Sequence, residues 1–208
     1  MQQTAQKGVI SPALIIGGII VLVIIFFAAT GNFKFSATRD ADQATTQESQ
    51  PETSSAPKSY QSDQYGFNLE YPGNWSYKET SGQFVASFFS PEESSSDKYR
   101  EFLGVKVVYL SQQPDISLQE ATDLWEEQTA AESQEDDFQV VNRQSLTISG
   151  LEAREIVFTL NVENIPAKGF VRIVLANGNA YIFQYFAEID KYDTYLPDIE
   201  GILSSVSL

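Results

Sequence analysis

Three zones with different patterns of apolar and polar residues follow one another along the 208-residue chain. Residues 9–29 form an apolar run without a charged side chain, and residues 30–59 are polar. Residues 60–208 mix apolar and polar positions with the short periods that are typical of strands and helices. This pattern predicts a short N-terminal tail (residues 1–8), a transmembrane anchor, a disordered polar linker and one globular domain.

The apolar run is long enough to cross a membrane as a helix. At about 1.5 Å per residue, about 21 residues reach about 31 Å, which is close to the hydrocarbon thickness of a bilayer. A cleaved signal peptide is the alternative, but its apolar core is usually only about 7–15 residues long. A short tail before the run and a large domain after it favour a single-pass membrane protein whose C-terminal domain is extracytoplasmic.

The linker has too few apolar side chains to fold by itself. Residues 41–56 contain no aromatic and no β-branched aliphatic side chain. Such a segment cannot bury enough apolar surface to offset the entropy that it loses on ordering. We therefore expect a flexible tether, with a typical span of roughly 30 Å, that holds the domain near the membrane.

Strand patterns dominate the domain. The predicted strands cover residues 66–71, 84–89, 102–110, 138–148, 152–160, 170–176 and 180–187. Ser149-Gly150 and Asn177-Gly178 each separate two of these strands. Asn-Gly is the stronger hairpin signal, because both residues tolerate a positive φ. Since hairpins join antiparallel neighbours, we expect a mostly antiparallel sheet.

Two helices are expected beside the strands. Ser117 and Glu120 have the spacing of a capping box, in which each side chain binds a free backbone amide at the start of a helix. The chain ends with an amphipathic pattern at residues 192–208, for which Asp193 is the expected N-cap. The predicted fold is α+β: a mostly antiparallel central sheet of about seven strands, flanked by helices.

The net charge of −15 belongs entirely to the domain, because residues 1–59 carry as many basic as acidic side chains. Residues 115–137 include nine acidic side chains and no Lys or Arg. Such a surface repels phosphate backbones, which argues against a nucleic-acid partner. Glu126 and Glu127 are therefore candidates for binding a cation or a basic partner, and a solvated helix face is the alternative.

The chain contains no histidine and no cysteine. This excludes Ser–His and Cys–His catalytic pairs, and it excludes the typical zinc and copper sites. Calcium takes oxygen ligands, and Glu135, Asp136 and Asp137 form the densest acidic cluster. The cluster lacks the spacing of a calcium-binding loop, so these residues are weak candidates for a metal site, and calcium is the one cofactor considered.

Aromatic side chains supply a second set of candidates for partner binding. Tyr181, Phe183 and Tyr185 alternate along one predicted strand and therefore share one face of it. Such a row packs in the core beneath a helix or, alternatively, lines a groove that binds a partner or ligand.

The first predicted strand carries a family resemblance. Residues 65–75, Tyr-Gly-Phe-Asn-Leu-Glu-Tyr-Pro-Gly-Asn-Trp, place an aromatic-Gly-Phe strand before a Pro and a Trp. Together with the later strands and the closing helix, this pattern resembles the PsbP-like domain family, whose fold is similar to that of a Ran-binding nuclear-transport factor. The resemblance implies an antiparallel sheet between helices and a non-enzymatic role. The family includes extrinsic subunits of photosystem II and envelope proteins of bacteria and archaea.

Four hypotheses about function follow. The first is a membrane-tethered, exported, non-enzymatic domain that binds or stabilises a partner protein or membrane complex. The second is an accessory protein of the oxygen-evolving complex of photosystem II, if the host is an oxygenic phototroph. The third is an envelope sensor that binds a small ligand in a cleft between sheet and helix. The fourth is a glycan hydrolase that uses paired carboxylates.

Overall fold

A computed structural model describes residues 56–79, 84–94, 99–133 and 137–208 of the chain. Their elements, in chain order, are β1 (Lys58–Ser62), β2 (Phe67–Tyr71), β3 (Ser76–Lys78), β4 (Ala86–Phe89), β5 (Phe102–Tyr109), α1 (Leu118–Glu132), β6 (Gln139–Ile148), β7 (Leu151–Val162), β8 (Ile165–Ala176), β9 (Asn179–Glu188) and α2 (Tyr192–Ser204). Within these ranges, no helix combines the length and the apolar composition that a membrane span requires. The anchor predicted at residues 9–29 lies outside them.

The centre of the domain is a seven-stranded sheet with the order β3-β4-β5-β9-β8-β7-β6. Every neighbouring pair in it is antiparallel. The strands β1 and β2 form a separate antiparallel ribbon. The predicted α+β fold with a mostly antiparallel sheet is therefore confirmed. The sequence pattern does not predict β1 and β3, and all three residues of β3 are exposed.

Three tight turns connect the four longest strands. Ser149 and Gly150 have φ angles of 53° and 75°, and Asn177 and Gly178 have φ angles of 51° and 74°. Two successive positive φ angles match the twist of the flanking strands, so both predicted hairpins are confirmed. The third turn, Glu163-Asn164, also has positive φ angles, of 49° and 68°. The sequence does not predict this turn, because Glu rarely adopts a positive φ.

The two helices pack on opposite faces of the sheet. Ala121 and Trp125 of α1 are buried in a core with the odd-numbered apolar residues of β8. Ile199 and Ile202 of α2 are buried in a second core with the even-numbered residues of that strand, and the β1–β2 ribbon contributes to the same core. Successive side chains of a strand point to opposite faces, so the central strands supply both cores.

The predicted capping box of α1 is present. The backbone amide of Glu120 donates to Ser117 Oγ at 3.2 Å, and the amide of Ser117 donates to Glu120 Oε2 at 2.9 Å. These bonds occupy amides that have no partner inside the helix, and they define where α1 begins.

The predicted limits of α2 are wrong at both ends. The N-cap residue is Lys191, which makes no side-chain capping bond, and Asp193 lies in the first helical turn instead. There its negative charge interacts favourably with the helix dipole. The helix ends at Ser204, because Ser207 forms an antiparallel bridge with Asn68 of β2. Two backbone hydrogen bonds of 3.1 and 3.0 Å join this pair.

Two glycines give a matched test of this packing. A β-carbon at Gly169 would lie 2.5 Å from the carbonyl oxygen of Tyr185 and 2.9 Å from Cζ of Phe158, whereas one at Gly201 would meet nothing within 4 Å. We expect Gly169→Ala to lower the free energy of unfolding by about 1–3 kcal/mol through overpacking. Gly201→Ala should raise it by about 0.8–1 kcal/mol, because Ala favours the helix. Urea denaturation measures both, and equal effects would contradict the packing around Gly169.

Candidate functional site

A cleft of about 470 Å³ lies between α2 and the β6 side of the sheet. Its lining comes from β6 (Gln144, Leu146, Thr147 and Ile148), from β8 (Arg172) and from α2 (Glu200, Leu203 and Ser204). Apolar and polar side chains therefore meet in one space at the edge of the sheet. The third hypothesis predicts a cleft between sheet and helix, without naming the helix or the strand.

A row of polar residues crosses the sheet beside the cleft. Gln144 of β6 lies opposite Glu155 of β7, and Glu155 lies opposite Arg172 of β8. Gln144 Nε2 donates to Glu155 Oε1 at 2.7 Å, and Arg172 Nε donates to Glu155 Oε2 at 2.7 Å. Glu200 reaches the same guanidinium from α2, where Nη1 of Arg172 donates to its Oε2 at 2.7 Å. The row therefore links three strands to the helix.

The ion pairs of this row are mostly removed from water. The side chains of Arg172 and Glu155 are 8% and 4% exposed, whereas that of Glu200 is 47% exposed. Burial alone lowers the pKa of the Arg172 guanidinium, but its hydrogen bonds to Glu200 and Glu155 outweigh burial and raise the pKa. The guanidinium also lies over the ring of Phe170, 4.3 Å from its centroid. These contacts hold Arg172 charged and fixed in position.

The same contacts bear on the glycan hydrolase hypothesis. Hydrolysis of a glycosidic bond needs one protonated carboxylic acid beside a second carboxylate. Glu155 and Glu200 form a pair of carboxylates, but both accept hydrogen bonds from the guanidinium of Arg172. Arg172 therefore occupies the position between them in which a glycosidic bond would have to lie.

β6 forms one edge of the sheet, and among the described strands it pairs only with β7. Its ten residues include one charged side chain, Arg143, and no proline. The pairing shifts between Val140 and Asn142 and is regular from there to Ile148. The strand at the opposite edge, β3, has only three residues. The backbone groups on the outer side of β6 are therefore available to pair with another strand.

The acidic face of α1 lies beside this edge. Arg143 Nε donates to Glu126 Oε2 at 2.9 Å, and Nη2 donates to Oε1 of the same carboxylate. The hydrogen bond to Glu126 and the charge of Asp123 both raise the pKa of Arg143. Of the two acidic candidates for partner binding, Glu126 is thus placed next to β6, and Glu127 is exposed on α1.

The aromatic candidates lie in the core. Tyr181, Phe183 and Tyr185 are 1%, 0% and 0% exposed. The hydroxyl of Tyr181 donates to the carbonyl oxygen of Tyr65 at 2.8 Å, and that of Tyr185 donates to the carbonyl oxygen of Tyr192 at 2.8 Å. The row therefore packs beneath α2 and the β1–β2 ribbon, and it offers almost no area to a partner in this structure.

Only part of the candidate calcium cluster can be located. Asp137 Oδ2 accepts a hydrogen bond of 3.0 Å from Asn161 Nδ2, whereas Glu135 and Asp136 lie outside the described residues. In the part of the chain that the structure covers, no group of three or more Asp or Glu side chains is arranged to hold a metal ion. Calcium binding by this cluster stays a prediction.

The residues of the polar row are not among the candidates from the sequence, although they leave a signal there. Glu155 and Arg172 are charged residues inside predicted strands that are otherwise mostly apolar. A charge in the interior of such a strand needs a buried partner. The sequence does not identify that partner, because the pairing depends on the register of β7 and β8 and on the docking of α2.

Comparison with known families agrees with this fold. The family model described as PsbP-like protein matches residues 15–208. The chain belongs to the PsbP-like family. This confirms the resemblance that begins at residues 65–75, and the match extends from the apolar run to the C-terminus. A comparison with curated proteins finds no match.

Two solved structures have a similar fold. Cyanobacterial PsbP (CyanoP) from Synechocystis sp. PCC 6803 has a TM-score of 0.58 at 15% sequence identity, over 78% of this chain and 98% of that protein. LpqN, which is involved in cell envelope biogenesis of Mycobacterium tuberculosis, has a TM-score of 0.52 at 13% identity, over 76% of this chain and 86% of its own. At these identities the similarity concerns the fold alone.

Removal of Arg172 tests the buried ion pair. We expect Arg172→Met to lower the free energy of unfolding by about 3–5 kcal/mol, because Glu155 would stay buried without a cation. The double variant Arg172→Met/Glu155→Met should recover most of this loss, since no unpaired charge remains. Glu200→Gln, at a half-exposed position, should cost at most about 1 kcal/mol. Urea denaturation compares the three, and an equal loss in Arg172→Met and Glu200→Gln would contradict the buried pair.

The buried tyrosines predict a loss of stability in alkali. Burial, followed by the charge of Glu101, raises the pKa of Tyr185 above its ordinary value of 10.0, and burial, followed by the charge of Glu155, raises that of Tyr192. The folded chain therefore keeps protons that the unfolded chain releases above that pH. This contribution to stability should be complete well below pH 10 and fall above it, with a slope that approaches about 1.4 kcal/mol per pH unit for each tyrosine.

Urea denaturation between pH 8 and 11 measures this effect. Tyr185→Phe should remove the share of one tyrosine and Tyr192→Phe that of the other, each about 1 kcal/mol between pH 10 and 11. An unchanged slope in both variants would mean that other groups cause the alkaline loss.

Proposed function

We propose that this PsbP-like protein is held at a membrane by residues 9–29 and binds a protein partner or membrane complex outside the cytoplasm, without catalysing a reaction. The observation that carries the proposal is the extent of the family match, which begins at residue 15, inside the apolar run. The run, the linker and the domain thus belong to the region shared with the family. This favours a tethered domain as the working unit.

Partner binding is supported by the family and by the charge of the domain. The resemblance to extrinsic subunits of photosystem II implies a domain that stabilises a larger complex. The net charge of −15 lies in the domain, and Glu126 of its acidic helix is placed beside the edge strand β6. A partner with a basic surface would be attracted to this face. The accessory role in photosystem II is the narrower form of the same proposal, for an oxygenic host.

A second candidate function is a sensor that binds a small ligand. The open cleft of about 470 Å³ between α2 and β6 is the observation that favours it. Its lining combines Leu146 and Leu203 with the fixed guanidinium of Arg172. A ligand that binds only the folded protein would raise its melting temperature by mass action, so a thermal-shift screen on the full chain tests this function.

The first proposal predicts that the apolar run keeps the protein and its partner at the membrane. We expect the full chain to stay with membranes after an alkaline carbonate wash and to co-purify one complex in fixed ratio in mild detergent. The variant Val21→Arg/Ile24→Arg should leave the membrane, because each arginine at the centre of a span costs about 2.5–3.5 kcal/mol. Mass spectrometry identifies the co-purifying proteins.

The matched control is Val21→Leu/Ile24→Leu, which keeps the run apolar and should behave like the parent chain. Release of the parent chain by carbonate would refute the anchor. Recovery of the parent chain without any partner would refute partner binding. It would favour the second candidate function, a sensor that binds a small ligand.

A further inference from the structure

We propose that the partner is bound through an extended basic segment that pairs with β6 and becomes an eighth strand of the sheet. This inference rests on the proposed partner-binding function and assigns the surface and the chemistry of the partner. It combines three features of the β6 side: an open strand edge, a cleft that opens beside it, and carboxylates on both faces.

The first feature is the backbone of β6. The pairing with β7 is regular from Asn142 to Ile148, so the outer edge of this stretch has the geometry that accepts another strand. Proteins often protect such edges with bulges, charges or prolines. In β6, the pairing shift at Val140 and the charge of Arg143 lie in the first half of the strand. Residues 144–148 contain no pairing shift, no charged side chain and no proline.

The second feature is the position of the cleft. Gln144, Leu146 and Ile148 of the same half-strand line it, with Leu203 and Glu200 of α2 on the other side. A strand paired with β6 directs every second side chain toward this face. Main-chain bonds to an edge strand and pockets for alternate side chains are the two elements of peptide recognition by strand addition.

The third feature selects a basic segment. On the α2 side, Glu200 binds Arg172 but its side chain is still half exposed at the cleft, so a Lys or Arg can approach it while the aliphatic part covers the apolar lining. On the α1 side, Glu126 and Asp123 lie near Arg143. Each face also carries an arginine, Arg143 or Arg172, that pairs with these carboxylates. Because the domain as a whole carries the net charge of −15, a basic segment is a better match than an acidic one.

Charge also argues against two other occupants of β6. A second copy of the chain would bring its own α1 and α2 carboxylates against those of the first, which is unfavourable. Residues 30–55, from the linker of the same chain, include two basic and four acidic side chains and so are not basic. A basic segment of another protein therefore fits the edge best.

The probe for this site is a blocked decapeptide of alternating Arg and Val, carrying a fluorophore, with the full-length chain in mild detergent. Fluorescence anisotropy should show binding that weakens with added salt. Thr147 is an exposed residue of β6 whose side chain alternates with those of Leu146 and Ile148 and therefore lies on the α1 side of the strand. It gives a matched pair of variants. Thr147→Lys should weaken binding about tenfold, and Thr147→Glu should keep or strengthen it, since the two changes are similar in size and opposite in charge.

Three controls separate strand pairing from general attraction between charges. Ser59→Lys adds the same charge at an exposed position of β1. This strand lies near the opposite edge of the sheet, because its Tyr60 contacts Tyr77 and Phe88. The variant should therefore bind the probe as the parent chain does. A fully N-methylated form of the probe keeps its side chains but cannot donate main-chain hydrogen bonds, so it should not bind. A decapeptide of alternating Glu and Val should not bind either.

Equal binding of the probe by both Thr147 variants, or binding of the N-methylated probe, would overturn the inference. A concentration-dependent dimer that Thr147→Lys abolishes would overturn it as well, by assigning β6 to a second copy. In the co-purification experiment, a partner retained by Thr147→Lys would leave the proposed function standing and refute this site. Probe binding with the expected charge dependence, but without any co-purifying partner, would support the site and refute the proposed cellular role.

Discussion

The alternation of side chains along β8 is the constraint on which the rest of the structure depends. Phe170 and Val174 of this strand enter the core beneath α2, whereas Val171 and Ile173 enter the core beneath α1. A sheet that buries apolar side chains on both faces needs a cover on each, and the two helices provide it. A shift of one residue in the pairing would exchange the two faces, so the double core also fixes the register.

Arg172 belongs to the same alternation, and its charge explains the cleft. It lies on the α2 face between two apolar neighbours, and burial there requires compensating carboxylates. Glu155 supplies one from the sheet and Glu200 supplies the other from the helix. The guanidinium thereby connects α2 to the β6 side of the sheet through polar contacts, where a close-packed apolar contact would leave no cleft.

The β6 side differs from the rest of the domain in having little to cover it. Central strands are enclosed by two cores, whereas β6 is largely exposed and carries one charge in ten residues. An open edge, a polar cleft and the acidic helix α1 meet on this side. The predicted linker of residues 30–59 is too long at its end, because Lys58 and Ser59 already belong to β1. Behind the proposed tether that precedes β1, such a surface would remain free to turn toward a membrane complex. The proposed recognition of a protein segment depends on these properties together.

The sequence by itself determined six of the seven strands of the central sheet and β2 of the separate ribbon. It also determined both turns with glycine, the capping box at Ser117 and the family, because each depends on residues close together in the chain or on a short periodic pattern. It also located the acidic helix that carries Glu126. Tertiary structure alone decided the polar row around Arg172, the end of α2 at the bridge between Ser207 and Asn68, and the addition of β1 and β3. These features join residues that are distant in sequence, and their energy arises only when strand register and helix docking bring the partners together.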